Sequence, residues 1–180
     1  MNELKRYAIV ISVVDELAKF GSWCGETHIQ KTIYYIEKLF PGLIDYPYML
    51  YKHGPFSFPL RDDLGIMVAE RFLRLMPMFP YGPQMLPGEL ATNIKKLFPR
   101  ALSQHEKKIK FAAEKLGSKG VVELETLGTA LYITEELLPN TAPQKREEKL
   151  RELKPHIPFE DAKRGIEEVD QILREADQLA

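Results

Sequence analysis

Residue types that often perform catalysis are present in this chain, but they do not form a known catalytic pattern. The four histidines are scattered along the sequence, at His28, His53, His105 and His156. No HExxH, GxSxG, Walker or GxGxxG motif places a nucleophile, a base or a phosphate-binding loop. We therefore predict no catalytic residues and expect that the protein is not an enzyme.

Metal and cofactor binding are not indicated either. Cys24 and His28 could supply two metal ligands, but no second pair lies at metal-site spacing. Cys24 is better explained as a small buried hydrophobe. Asp62 and Asp63 are adjacent, so their carboxylates diverge around a helix and make a poor acid–base pair. We predict no metal and no cofactor, and expect Asp63 to be a first-turn charge that favours the helix dipole.

The composition is that of a globular protein. The chain has 180 residues, of which 44% are apolar and 28% are charged, which suits a single domain over 1–180. It contains no apolar run of about 18 residues and no signal-peptide pattern, so no membrane partner is expected. A single cysteine excludes an intramolecular disulfide and fits a reducing compartment. We expect a cytoplasmic protein.

Helices dominate the predicted secondary structure. Apolar residues at three- and four-residue spacing predict helices over about 2–20, 26–39, 89–98, 103–117, 121–138, 143–154 and 159–176. One more helix should begin after Ser57, a good N-cap residue. Pro99 is expected to end one helix, and Ser103 to cap the next. Residues 48–52 should be extended and should lead into a turn at His53-Gly54-Pro55.

The order of these elements resembles a winged helix-turn-helix. Residues 72–76 and 84–86 predict one short β-hairpin, at about 72–86, directly after the Ser57 helix. We therefore expect a mainly α fold with winged helix-turn-helix character and a C-terminal helical extension. Residues 1–100 would form the winged-helix-like core, and residues 101–180 would form a helical part packed on it.

The charge distribution leaves open an alternative function as a winged-helix DNA-binding regulator. Basic residues outnumber acidic ones in segment 71–119, and the reverse holds in 120–180. Phosphate contacts would come from Arg71, Arg74, Lys95, Lys96, Lys107 and Lys108. Against this, the expected recognition helix contains Asp62, Asp63 and Glu70, which phosphates would repel. Segment 71–119 could also simply attract the acidic C-terminal part.

Two short motifs give the chain a family resemblance. The first is Ile29-Gln30-Lys31, followed by Tyr34. The second comprises Tyr51, His53, Gly54, Pro55, Phe56, Ser57, Leu60 and Asp63. Together they resemble the Panacea domain, a family that includes antitoxin-type proteins. The stretch 153–159 is also similar to a segment of the uncharacterised members of that family.

The resemblance implies a small helical module without catalytic residues. Antitoxin members of the family bind and neutralise a toxin that is encoded nearby. We therefore expect a non-enzymatic cytosolic protein-interaction module, antitoxin-like or regulatory, with a protein partner. The residues of the two motifs, Gln30 to Asp63, would shape the scaffold and one wall of the partner site, although the aromatic and turn residues could equally be core and hinge. A homo-oligomer is compatible with the sequence.

Overall fold

Helices form most of the structure, a computed structural model that describes residues 2–80 and 82–179. They are α1 (Glu3–Lys19), α2 (Glu26–Leu39), α3 (Phe58–Ala69), α4 (Ala91–Lys96), α5 (Pro99–Leu116), α6 (Val121–Tyr132), α7 (Pro143–Leu153) and α8 (Phe159–Asp177). A π-helical turn, Ile133–Leu137, continues α6. The predicted mainly α class is confirmed. Within the described residues, every helix is too short or too polar to cross a membrane.

The structure contains two small antiparallel hairpins where the sequence predicted one. Strands β3 (Leu73–Met76) and β4 (Gln84–Pro87) form the hairpin expected near 72–86. Strands β1 (Met49–Tyr51) and β2 (Gly54–Phe56) form a second hairpin. The extended segment predicted at 48–52 corresponds to β1, whereas β2 and the pairing of the two strands were not predicted. Three-residue strands are too short to show an alternating pattern, and a proline within a strand normally argues against pairing.

Helix α2 separates two apolar clusters. Ile29, Ile33 and Ile36 face the first cluster, which surrounds the buried middle of α1 and includes α3, α4 and α5. Tyr34 and Tyr35 face the second cluster, built mainly from α6, α7 and α8. A helix that packs on two sides leaves little of its surface exposed, and four polar residues of α2 are therefore buried as well, namely His28, Gln30, Lys31 and Thr32.

Helix α3 begins as predicted, but the role expected for Asp63 is wrong. The Ser57 hydroxyl accepts a hydrogen bond from the Leu60 N–H at 3.2 Å and caps the helix. Asp63 is buried, not a first-turn surface charge. Its carboxylate accepts hydrogen bonds from Tyr46 at 2.7 Å and Tyr7 at 3.3 Å, and Arg6 lies 2.9 Å away. It therefore ties α3 to α1 and to the loop before β1.

Helix α5 begins earlier than the sequence suggested. Pro99 was expected to end a helix, but it occupies the first turn of α5. A proline fits there because the first turn needs no intrahelical N–H donor. Ser103 consequently lies within the helix, so the predicted N-cap at this residue is wrong.

Candidate functional site

The two motifs of the family resemblance contact each other directly. The Gln30 side chain forms two hydrogen bonds with the Ser57 backbone, donating to its carbonyl at 2.9 Å and accepting from its N–H at 3.0 Å. Lys31 Nζ donates to the Pro55 carbonyl at 2.6 Å. Since all these groups are buried, each bond satisfies a polar atom that water cannot reach. The first motif thus fixes the β1–β2 hairpin against α2.

Glu125 of α6 lies at the centre of a charged cluster beside this hairpin. The residue is only 5% exposed, and its Oε1 atom lies 2.9 Å from Lys154 Nζ. His53 Nδ1 lies 3.6 Å from its Oε2 atom, and His156 Nε2 lies 3.5 Å from its Oε1 atom. Segments that are distant in the sequence, at 53, 125 and 154–156, therefore meet at one carboxylate.

Lys154 connects this cluster to the turn of the hairpin. Its ammonium group donates to the backbone carbonyls of Tyr51, at 3.4 Å, and of Lys52. Lys154 is itself buried, and it lies just beyond the end of α7. The hairpin is therefore fixed from α2 on one side and from the segment after α7 on the other.

At each buried charge of the cluster, burial and ion pairing act on the pKa in opposite directions. Burial lowers the pKa of Lys31 to about 8, although Glu125 acts to raise it. Burial acts to raise the pKa of Glu125, but the bond and charge of Lys154 outweigh it, and the pKa lies below its ordinary value. Glu125 is consequently ionised at neutral pH and compensates the buried ammonium groups.

Two glycines allow the hairpin to lie directly on α6. Gly54 has φ +86°, and a Cβ there would lie 3.1 Å from Thr129 Oγ1. A Cβ at Gly128 would lie 3.1 Å from Lys31 Cδ and 3.2 Å from Pro55 Cδ. A Cβ at either position would press on these neighbours, and at Gly54 the positive φ favours glycine in addition.

The outward side of the hairpin exposes an aromatic patch, which we define as Met49, Tyr51, Phe56 and Phe58. The three rings lie 5.1 to 5.8 Å apart, centroid to centroid. Tyr51 is 45% exposed and Met49 is 52% exposed, while the two phenylalanines are half-buried. Met49 and Phe56 are cross-strand partners. Aromatic residues and methionine are enriched in protein–protein interfaces.

The predicted partner-site residues lie in three environments, which are the buried support of the hairpin, the hairpin itself and the protein interior. Gln30, Lys31, Gly54, Pro55 and Ser57 form the buried support of the hairpin. Tyr51 and His53 are exposed on it, and Phe56 is half-buried.

Tyr34, Leu60 and Asp63 lie in the interior, away from the exposed side of the hairpin. Tyr34 packs on Tyr48 with ring centroids 4.9 Å apart and donates to Glu136 at 3.1 Å. Leu60 and Asp63 belong to the buried side of α3.

Sequence reasoning missed several residues of this site. Glu125 could have been noticed as a second charge in α6, after Glu123 in the first turn, at a position flanked by Leu124 and Leu127. Lys154 and His156 lie in the stretch 153–159 that contributed to the family resemblance, but no local pattern connects them to residue 125. Met49 and Phe58 gave no signal, because exposed apolar residues on short elements resemble core residues in the sequence.

Half of the predicted phosphate-contacting residues are engaged within the fold. Arg71 lies 2.5 Å from Glu89, and Lys95 lies 2.5 Å from Asp15. Lys108 Nζ lies 5.2 Å from the centre of the Phe40 ring. The remaining three, Arg74, Lys96 and Lys107, are exposed.

The acidic C-terminal part pairs with the basic segment at two places. Lys115 contacts Glu175 at 2.5 Å, and Lys119 contacts Glu168 at 2.8 Å. Helix α3 meanwhile exposes one basic residue, Arg61, which lies 3.6 Å from Asp62. Its other exposed residues include Gly65, Ile66 and Ala69, so the helix offers a DNA groove little net positive charge. Part of the charge segregation is thus explained by contacts within the chain.

A separate cleft of about 550 Å³ lies near the start of α2 and the start of α6. Apolar side chains, including Trp23, Met85 and Val121, form much of its lining. His28 also lines it, and its Nε2 atom lies 2.9 Å from the Lys119 carbonyl. Burial lowers the pKa of His28. The cleft has the size of a small-molecule site but gathers few charged groups.

Comparisons with known proteins give no relative from which a function could be transferred. Neither the protein-family models nor the curated proteins that were compared with the chain match it. The resemblance to the Panacea domain therefore remains a hypothesis based on the sequence. The functional interpretation rests on the geometry of residues 49–58 and the groups that support them.

Proposed function

We propose that this protein is a non-enzymatic protein-interaction module, antitoxin-like or regulatory, which binds a protein partner through the aromatic patch. The main support is the difference between the two sides of the β1–β2 hairpin. Buried polar contacts fix its inner side, whereas its outer side exposes aromatic rings to solvent. A rigid, exposed aromatic surface suits binding, because little conformational entropy is lost when the partner docks.

The burial of Lys31, Glu125 and Lys154 supports a structural role for these three residues. Lys31 is 2% exposed and hydrogen-bonds a backbone carbonyl. Glu125 is paired with Lys154, whose ammonium group occupies the position where a bound cation would otherwise meet the carboxylate. Groups that a substrate cannot reach are better suited to positioning the hairpin than to chemistry.

The family resemblance supports an antitoxin-like role within this proposal. The motif residues that resemble the Panacea domain, such as Lys31 and Pro55, are those that fix the hairpin. A common support with a variable exposed surface would allow different members to bind different partners. The partner would then be a toxin encoded nearby, in the cytoplasm.

DNA binding through segment 71–119 is our second proposal. It is favoured by Arg74, Lys96 and Lys107, which are exposed and form no ion pair within residues 2–80 and 82–179. Retention of duplex DNA that is sequence-specific and falls steeply with salt would support it. Weak retention of any sequence would argue against it.

Co-expression with the product of the neighbouring gene tests the first proposal. The full chain is tagged and isolated, and the amount of co-purified partner is measured for the wild type, Tyr51→Ser and Phe79→Ser. Phe79 is a matched control, because it is a fully exposed aromatic residue between β3 and β4. We expect Tyr51→Ser to reduce capture about ten-fold and Phe79→Ser to leave it unchanged. Absence of a complex, or equal capture by both variants, would overturn the proposal.

A further inference from the structure

The rim of the aromatic patch is mainly basic. Arg61 is exposed, and its guanidinium lies 5.0 Å from the centre of the Phe58 ring. Lys52, which follows Tyr51 in the chain, is exposed as well. One exposed acidic residue, Asp62, lies 3.6 Å from Arg61. Arg61 can therefore bind a carboxylate while it stays stacked on the ring.

The charged groups beneath the hairpin are close to balanced. The buried ammonium groups of Lys31 and Lys154 lie near the carboxylate of Glu125, and Glu26 also acts electrostatically on Lys31. The charge that a partner meets at the patch is therefore set by exposed residues, namely Lys52, Arg61 and Asp62.

We propose, building on the protein-interaction function above, that the partner contributes an acidic segment with apolar anchor residues. The rings of Tyr51 and Phe56 would contact the anchors, and Arg61 and Lys52 would bind the carboxylates. Aromatic anchors surrounded by complementary charge are the usual arrangement at the centre and rim of an interface.

The arrangement of charges favours an acidic protein segment over a nucleic acid. A nucleic-acid backbone presents a regular row of phosphates and requires a row of cations to neutralise it. The rim has only two permanent cations, Lys52 and Arg61, and the carboxylate of Asp62 lies among them. Exposed apolar atoms at Met49 also match a peptide better than a charged backbone.

Labelled synthetic peptides test this inference on the full chain. The first peptide is amphipathic, with Leu and Phe anchors and Glu at its polar positions; in the second, Lys replaces every Glu. Binding is measured by fluorescence anisotropy at about 0.05 and 0.3 M salt. We expect the Glu peptide to bind at least about ten-fold more tightly than the Lys peptide and to weaken with salt.

Variants of the chain locate the binding. Arg61→Glu and Tyr51→Ser should each weaken the Glu peptide about ten-fold, while Phe79→Ser should not. Equal binding of the two peptides, or insensitivity to Arg61→Glu, would overturn the inference, as would displacement by duplex DNA. Failure of both peptides would also overturn it. If the neighbouring gene product is then still captured through Tyr51, the interaction function stands and only the acidic preference falls.

Discussion

The two hairpins of this protein, β1–β2 and the longer β3–β4, are supported differently. Side chains from α2, α6 and the segment after α7 fix β1–β2, including the buried ammonium groups of Lys31 and Lys154. The β3–β4 hairpin is attached through backbone hydrogen bonds, such as Met85 N–H to the Cys24 carbonyl at 2.9 Å. Its exposed side is mostly aliphatic, with Leu75 44% exposed.

The two hairpins therefore differ in whether buried polar side chains hold them in place. Burying ammonium and carboxylate groups is costly unless they are paired, and such pairs rarely improve stability over apolar packing. Such buried pairs do specify a single geometry. Here they fix the position of the hairpin that exposes the aromatic patch. The β3–β4 hairpin lacks such support and is better explained as a connection between α3 and α4.

Removal of the Glu125 charge should have the largest effect. Glu125→Gln removes the carboxylate that pairs with the buried Lys154 and that also acts, with Glu26, on Lys31, so we expect the free energy of unfolding to fall by about 3–5 kcal/mol. The matched control is Glu168→Gln, which removes a partly exposed ion pair with Lys119 and should cost less than about 1 kcal/mol. Urea unfolding followed by circular dichroism measures both. Similar small losses for the two variants would show that the cluster does not support the fold.

The contact between β2 and α6 should be the next most sensitive. Gly54→Ala combines a positive φ with a close approach to Thr129, and we expect it to lower the free energy of unfolding by about 2–3 kcal/mol. Gly42→Ala has a similar φ, +84°, but a Cβ there has no atom within 4 Å, so it should cost only about 1 kcal/mol. Urea unfolding of both variants gives the difference. Equal losses would mean that packing on α6 contributes nothing.

The two hairpins also show what the sequence could and could not predict. The spacing of apolar residues predicted the helices, and the residues of β3–β4 were recognisable as a pair of strands. The β1–β2 hairpin was missed because long-range contacts, such as Lys154 with the Tyr51 carbonyl, stabilise it and leave no local pattern. The motif residues from Gln30 to Ser57 do meet, but their convergence on Glu125 depends on the packing of α6.

The titration of Lys31 gives a smaller, pH-dependent effect. Burial lowers its pKa to about 8, from 10.5. Between these values the unfolded chain binds more protons at this residue, so the contribution of Lys31 to the free energy of unfolding should rise with pH, by at most about 1.4 kcal/mol per unit.

Lys31→Met should remove this rise. Lys110→Met, at an exposed position of α5, serves as the control and should retain it. Urea unfolding at a series of pH values across the window measures both. Burial also raises the pKa values of Cys24 and of several tyrosines, which acts in the opposite direction, so the comparison with Lys31→Met isolates Lys31. Identical slopes for the wild type and Lys31→Met would contradict the lowered pKa of Lys31.

Charge reversal on β3 should have the smallest effect. Arg74 is exposed and lies on the hairpin without buried polar anchors. We expect Arg74→Glu to change the free energy of unfolding by less than about 0.5 kcal/mol and to leave partner capture unaltered. Loss of partner capture would place the binding surface on β3–β4 instead.

Hydrogen exchange of the complex with the neighbouring gene product tests the central claim most directly. Backbone amides of residues 49–58 and of residues 73–87 are compared in the free chain and in the complex by mass spectrometry. We predict that exchange slows in 49–58 on binding and stays unchanged in 73–87, because the partner covers the aromatic patch. Slower exchange confined to 73–87 would contradict the assignment of the β1–β2 hairpin as the docking surface.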